Sequence, residues 1–376
     1  MGVAGVSGME VRELWRNVLL CKVPESYETV DVSQSAHLRR GGGKWTQGVR
    51  LAVHAASEAI EGSGVLDSDR GGIGLSVGTA FGSSLDEEVV DALHGHVPEG
   101  YRDPSLLLKM QYSAMASAIS IRFGIEGPSE TLGNACCAGL DVVGRGLDWI
   151  RSGRCSAVIA CACDRATSPW VGRMFENAGI GGAPPMSPWS EGRTGPALSD
   201  GAAAVVLEDM ESAVRRRAAI CGEVLGYGAT SDAFHGVLPR GDGRVAAKAM
   251  AAAMTDAGVG PGDIGMYCGH GSATKKGDAA ESAALKLAFG GMTPPPAFAT
   301  KAVTGHCFAG ASLMEFVLAV TALREATLPP TAGWLTPDRS LSFRPSTSPQ
   351  PSSARLALCY NNALGGGNAA VVVGRC

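Results

Sequence analysis

Apolar residues in the stretch that follows "NACCAGL" fall at helical steps. Leu140, Val143, Leu147 and Ile150 recur three and four residues apart, and "SGR" closes the run. The next stretch, "SAVIACAC" (156–163), is apolar without alternation, the pattern of a strand covered on both faces. "SDGAAAVVLED" (199–209) reads the same way. Upstream, "ELWRNVLL" and "GVRLAVHAASEAIEGSGV" have helical periodicity, with "LRRGGGKW" as a loop between them. "GGIGLSVGTAFG" (71–82) predicts a short buried strand running into a glycine turn, and "PSLLLKMQYSAMASAISIRFG" (104–124) one long apolar helix stopping at Gly124.

The C-terminal part repeats the scheme. "GRVAAKAMAAAMTDAGV" predicts a helix and "IGMYCGHG" a strand ending in a loop. Leu313, Phe316, Val317, Val320 and Leu323 form a helical stripe, and "LALCYNNALGGGNAAVVVG" predicts two strands around a glycine-rich turn. Helices alternating with doubly covered strands imply an α/β fold. "NACCAGLDVVGRGLDWIRSG" and "TGHCFAGASLMEFVLAVTALRE" share a plan, a reactive residue just ahead of a helix rich in small residues. That likeness suggests two related halves, residues 1–210 and 211–376.

Composition narrows the function classes. The 376 residues are 45% hydrophobic and 18% charged, enough for a sizeable core. A net charge of −4 argues against nucleic acid as the main partner. The opening "MGVAGVSGMEVRELWR" lacks a secretory pattern, and no apolar run approaches a membrane span. The 11 cysteines are odd in number, sit mostly in apolar surroundings and form no C-x-x-C pair. Reduced thiols in the cytoplasm, with neither disulfides nor a structural metal, are therefore expected.

The chemistry gathers in four places. Cys136 and Cys137 stand side by side at the predicted start of a helix, where helix dipole and free N–H groups lower a thiol pKa. Alone, they are as well explained as small core residues. His270 opens "HGSATKKGDAAE" just after a buried strand. "KAVTGHCFAGA" carries Lys301 and His306, and "NNALGGGN" offers a triple-glycine turn.

In this order, "GPSETLGNAC", "HGSATKKGD", "KAVTGH" and "GGGN" resemble the β-ketoacyl synthases of the thiolase superfamily, from about residue 72 to 374. The resemblance implies a five-layered αβαβα fold of two pseudo-repeated halves. It implies a decarboxylative Claisen condensation on carrier-bound thioesters, in a specialised polyketide or fatty-acyl pathway. Counting from Gly127 puts the nucleophile at Cys136, with Cys137 packing inward. His270 and His306 match the pair whose N–H groups stabilise the enolate oxygen formed as CO2 leaves. Lys301 matches the buried cation, with Glu281 and Glu315 at acidic positions. Ser272 and Thr274 match the hydroxyls that hold the phosphopantetheine arm. Leu364, ahead of Gly365 and Gly366, matches the gate position and, with Cys136, a backbone donor to the second oxyanion. Phe81 falls on the acyl-pocket wall and implies a short pocket. His235 in "SDAFH" is assigned a structural role.

By the same resemblance no cofactor is bound tightly, since the substrate rides on the phosphopantetheine of an acyl carrier protein. The partners implied are that carrier and a second ketosynthase-like chain, identical or not, paired through "SAVIACAC". Departures include Ser272 for threonine, Lys275 for proline, Leu364 for phenylalanine and a short N-terminal region. Two alternatives stay open: a non-decarboxylating acyltransferase or cyclase using the same cysteine, and a chain-length-factor-like non-catalytic subunit.

Overall fold

The computed structural model describes residues 1–5, 8–27, 30–32, 45–67, 70–86, 89–90 and 105–376. Its twelve described strands include two five-stranded sheets. The first contains β1 (Gly2–Gly5), β2 (Ile73–Gly78), β3 (Ser129–Leu132), β4 (Ala157–Arg165) and β5 (Asp200–Glu208), in the order β1-β5-β4-β2-β3. The second contains β6 (Glu223–Ser231), β7 (Met266–Cys268), β8 (Ala297–Phe298), β11 (Leu356–Asn362) and β12 (Gly367–Gly374), in the order β6-β12-β11-β7-β8. The short strands β9 (Thr327–Leu328) and β10 (Gln350–Pro351) pair separately. Both large sheets are mixed: β2 runs parallel to β3 and β4, and β7 parallel to β8 and β11, while their other pairs are antiparallel.

Two helices, Ala138–Arg151 and Ala309–Arg324, lie between the sheets and touch both. Their sequences explain the placement. All residues of the second helix except Arg324 are buried, as expected for a helix apolar on every side. Helix Gln47–Ser63 covers the outer face of the first sheet, and helices Arg244–Asp256 and Lys275–Ala288 cover that of the second. Five layers, αβαβα, result. The strand expected at 156–163 is buried along β4 because helices pack on both of its faces.

The central helices cross where Gly139 removes a side chain. A Cβ there would lie 2.3 Å from the Ala309 carbonyl oxygen and 2.4 Å from Ser312 Oγ. Farther along, Tyr227 of the second sheet donates to Asp141 Oδ1 at 2.7 Å, while Asn134 donates to Asp141 Oδ2 at 2.6 Å. One acid thus joins the second sheet to the segment leading into Cys136.

Two sequence expectations are corrected. The long helix over 104–124 is interrupted: Ser105–Lys109 and Ala114–Phe123 are separate, with a turn between them, and Pro104 lies outside the described residues. Tyr112 in that turn packs against Gly82 and Gly133 instead of continuing a helix. Strand β4 also cannot pair with another chain, because β2 and β5 already bond its two edges. Among the described residues, the edges of this sheet are β1 and β3, each one strand removed from β4. The loop expected around "LRRGGGKW" lies outside the described residues, except Trp45.

Candidate active site

The N-terminal ends of the two central helices meet. Cys136 sits on a single 3-10 turn, Ala135–Cys137, that leads into helix Ala138–Arg151. His306 lies just before helix Ala309–Arg324, and its Nε2 is 3.3 Å from Cys136 Sγ. Backbone strain holds both approaches: Ala135 has φ +43° and Phe308 φ +46°. Cys137 points away, its Sγ donating to the Asn361 carbonyl at 3.2 Å, and it is fully buried.

The expectation of an acidic Cys136 thiol is overturned. Burial pushes its pKa up to about 12, and the carboxylate of Asp164 adds to the rise, while Lys301 only partly opposes it. The sulfur is walled by Phe175, Phe308 and Ala166, which offer no charge in exchange for water. Burial thus favours the thiol form of Cys136, and His306 Nε2 stands within reach of its proton.

His270 stands beside His306, ring centroids 5.6 Å apart. Both rings are held neutral: burial lowers their pKa well below the usual histidine value, and the Lys301 charge lowers it further. The Lys301 ammonium donates to Glu315 Oε1 at 2.5 Å and to the His270 carbonyl at 2.6 Å. Glu281 does not reach that cation. Its oxygens accept from the backbone N–H groups of His270 (2.7 Å) and Gly271 (3.0 Å), Tyr267 OH and Trp189 Nε1. Glu315 thus balances the lysine, and Glu281 holds the histidine loop.

A cavity of about 870 Å³ opens onto these groups. Cys136, His270, His306 and Phe308 line its floor, and Ser272, Thr274, Lys275 and Lys276 one wall. Ser272 Oγ and Thr274 Oγ1 are 2.9 Å apart, and Thr274 caps helix Lys275–Ala288 by accepting from Gly277 N–H. Leu364, 37% exposed, stands on the lining with Asn362 and Ala363. The turn behind it needs glycine at 365 and 366, where φ is +87° and +84°. His235 also lines the cavity, but its Nδ1 accepts from Val237 and Leu238 N–H, which makes it a loop clasp. Among the described residues, no cluster of histidine, cysteine and acids has a metal-binding arrangement.

Phe81 is not on that lining. Its ring meets Phe308 edge-on at 5.1 Å, and Phe308 meets Phe175 at 5.3 Å. Phe308 and Phe175 thus stand on the lining with Cys136, and Phe81 packs behind Phe308. Asp164 fixes this arrangement. Its carboxylate accepts from Thr79 Oγ1 and from the N–H groups of Ala80, Phe81 and Ala309, joining the Phe81 loop to the start of the second central helix. Sequence reading missed Asp164, Phe308 and Asn361. The "CDR" end of a buried strand was the one signal for Asp164, since an acid in an apolar run must find donors.

Models of the "Beta-ketoacyl synthase, N-terminal domain" and the "Beta-ketoacyl synthase, C-terminal domain" match residues 40–213 and 221–334. The chain is 31% identical over 351 residues to 3-oxoacyl-[acyl-carrier-protein] synthase 2 of Vibrio cholerae serotype O1, covering 87% of this chain and 82% of that protein. It is 33% identical over 327 residues to nodulation protein E of Rhizobium meliloti strain 1021 (85% and 80%). It is 30% identical over 344 residues to a putative polyketide beta-ketoacyl synthase 1 of Streptomyces cyaneus (86% and 81%). Among solved structures, the ishigamide ketosynthase/chain length factor superposes with a TM-score of 0.90 at 27% identity, over 100% of this chain and 97% of that one. A type II polyketide ketosynthase in complex with its acyl-carrier protein matches in fold, with a TM-score of 0.89 at 24% identity (100% and 97%).

Proposed function

The chain belongs to the β-ketoacyl synthase family, and we propose that it condenses an acyl group held on Cys136 with a malonyl-type thioester, losing CO2. The observation that carries the assignment of roles is the contact between Cys136 Sγ and His306 Nε2 across two helix ends, with His270 beside it.

In loading, His306 Nε2 takes the thiol proton and the sulfur attacks the carbonyl of the incoming thioester. The N–H groups of Cys136 and Leu364 stabilise the tetrahedral oxyanion. Its collapse expels the carrier thiolate, which receives the proton. In condensation, the malonyl C–CO2 bond breaks and the electron pair passes into an enolate flanked by His270 and His306. Stabilising that oxygen in a water-poor pocket is the principal catalytic contribution. The enolate carbon attacks the Cys136 thioester, and the cysteine sulfur leaves and is reprotonated. Lys301, neutralised by Glu315, supplies a fixed positive field beneath both rings.

The substrates are carried on the phosphopantetheine of an acyl carrier protein, the arm running past Ser272 and Thr274 with Lys275 and Lys276 near its phosphate. The acyl chain is short, because Phe308, Phe175 and Phe81 close the space beside Cys136. The two functional halves divide at residue 210, the first carrying the cysteine and the second both histidines. The second ketosynthase-like chain pairs along the free edge of β3. Helix Ala114–Phe123 packs against β3, and in and just ahead of it Leu107, Leu108, Met110, Tyr112 and Ile121 are exposed, apolar surface suited to a partner.

The test is intact mass after incubation with acyl- and malonyl-carrier proteins, read together with CO2 release. Cys136→Ala should lose acylation and Cys137→Ser keep it. Acylation without CO2 release would support the non-decarboxylating transferase. Acyl label on Cys137, or retained in Cys136→Ala, would overturn the assignment.

A further inference from the structure

Asp164 is fully buried near the end of β4, in an apolar run where an acid is costly unless donors surround it. Its two oxygens divide the donors between two segments. Oδ1 accepts from Thr79 Oγ1 at 2.7 Å and from Phe81 N–H at 3.2 Å. Ala80 N–H is shared, 2.9 Å from each oxygen. Oδ2 alone accepts from Ala309 N–H, at 3.0 Å. One oxygen therefore holds the turn that follows β2, and the other holds the first residue of helix Ala309–Arg324.

Phe308 immediately precedes Ala309, and its backbone, φ +46° and ψ −113°, lies outside the regions open to residues with a side chain. Such a backbone persists only where its surroundings hold it. The Ala309 N–H belongs to the peptide that follows Phe308, so its bond to Asp164 fixes that peptide and with it the place of the ring. The ring lines the cavity with Cys136 and packs edge-on against Phe81 and Phe175. The turn that carries Phe81 has further holds: Tyr112 OH donates to the Ala80 carbonyl at 2.5 Å, and Gly82 N–H donates to Thr79 Oγ1 at 2.8 Å. Both rings are thus set by one acid, and Phe308 depends on it through a single bond.

We propose that Asp164 is the positioning residue that limits the acyl chain accepted at Cys136, by holding Phe308 across the space beside the sulfur. The inference rests on the acyl loading proposed above and deepens it. Asparagine has the shape of aspartate but only one accepting oxygen. Three donors favour that oxygen at the Oδ1 place, so the NH2 group falls opposite Ala309 N–H, donor against donor. Asp164→Asn therefore keeps the turn and releases the peptide after Phe308. The ring can then swing aside for a longer chain, while the cysteine and both histidines stay in place. Loss of the carboxylate also removes one cause of the raised Cys136 thiol pKa. That change speeds every chain alike, so the ratio of long-chain to short-chain rates isolates the effect of the ring.

Two series of probes decide it, both read on the Cys136 peptide by mass. The first is acetyl-, butyryl-, octanoyl- and dodecanoyl-carrier protein. The second is N-methyl, N-butyl and N-decyl iodoacetamide, which need no carrier: the sulfur displaces iodide, a carbon–sulfur bond forms and the thiol proton leaves to water. In wild type the long probes should react more slowly than the short ones in both series. In Asp164→Asn the long-to-short ratio should rise about 10-fold, the size of one lost hydrogen bond to a charged group, with the shortest probe still reacting at least as fast as in wild type. Thr79→Val loosens the turn but leaves Ala309 held, and should raise the ratio less. Asp164→Ser, too short to reach Ala309, should behave like Asp164→Asn and stands in for it if the asparagine variant does not fold. A wild type indifferent to chain length, an unchanged ratio in Asp164→Asn, an equal rise in Thr79→Val, or unfolding of both Asp164 variants overturns the proposal. If wild type takes no acyl group from any carrier thioester, the loading function fails, and the iodoacetamide ratio alone decides the role of Asp164.

Discussion

Substituting Gly139 tests whether the helix crossing sets the catalytic geometry. An alanine Cβ at 139 would lie 2.3 Å from the Ala309 carbonyl oxygen and 2.6 Å from Leu313 N. Those are main-chain atoms of a buried helix, so no rotamer change relieves the clash. Reaching ordinary contact needs the helices to separate by about 1 Å, and overpacking of this kind costs about 3 kcal/mol. Alanine returns about 1 kcal/mol of helix propensity, leaving a loss of about 2 kcal/mol. For 376 residues, the usual unfolding entropy per residue turns this into a fall in Tm of about 2–4 °C. The larger effect falls on chemistry, since Cys136 and His306 stand at the ends of the separated helices. A misplacement of about 1 Å costs about 100-fold. The assay is the rate of Cys136 acylation by intact mass, beside a thermal melt. Gly172→Ala is the control, because a Cβ there meets nothing within 4 Å. Gly139→Ala that melts and acylates like the wild type would refute the idea that this crossing holds the nucleophile and its base together.

Other outcomes follow from the same geometry. Phe308→Ala should let longer acyl chains load on Cys136, at a stability cost of about 3–5 kcal/mol, whereas Phe81→Ala, one ring farther back, should extend the range less; identical chain-length profiles for wild type and Phe308→Ala would refute this. Alkylation of Cys136, followed by peptide mapping, should still be climbing at pH 9, because burial holds the thiol near 12; a plateau already reached at neutral pH would mean a preformed thiolate. Glu315→Gln leaves Lys301 buried without its counter-charge and should destabilise the fold by about 3–5 kcal/mol, seen as a lower urea midpoint; an unchanged midpoint would mean that the lysine gives up its proton instead.

Much of this architecture can be read from the chain because its signals are local. The stripe Leu140, Val143, Leu147 and Ile150 needs no distant partner to announce a helix, and a run such as "AVIACAC" can only be a strand covered twice. The motif order was equally local, and the structure brings Cys136, His270, Lys301 and His306 into one cavity floor and its supporting layer. What escaped depends on contacts between remote segments. Phe81 drew attention beside a glycine turn, but its distance from Cys136 depends on Phe308, more than two hundred residues later. Asn361 looked like part of a turn, and only the fold places it under His270. The thiol pKa failed for a related reason: a helix start is visible in sequence, but the apolar rings that bury it are not.

The contact between Cys136 and His306 joins residues 170 positions apart. A chain emerging from the ribosome presents Cys136 long before His306 exists. Until the second central helix is made and docked beside the first, Cys136 lacks both His306 and the Phe308 part of its aromatic wall. In the function proposed above, thioester chemistry therefore begins only once both helices have been made and docked.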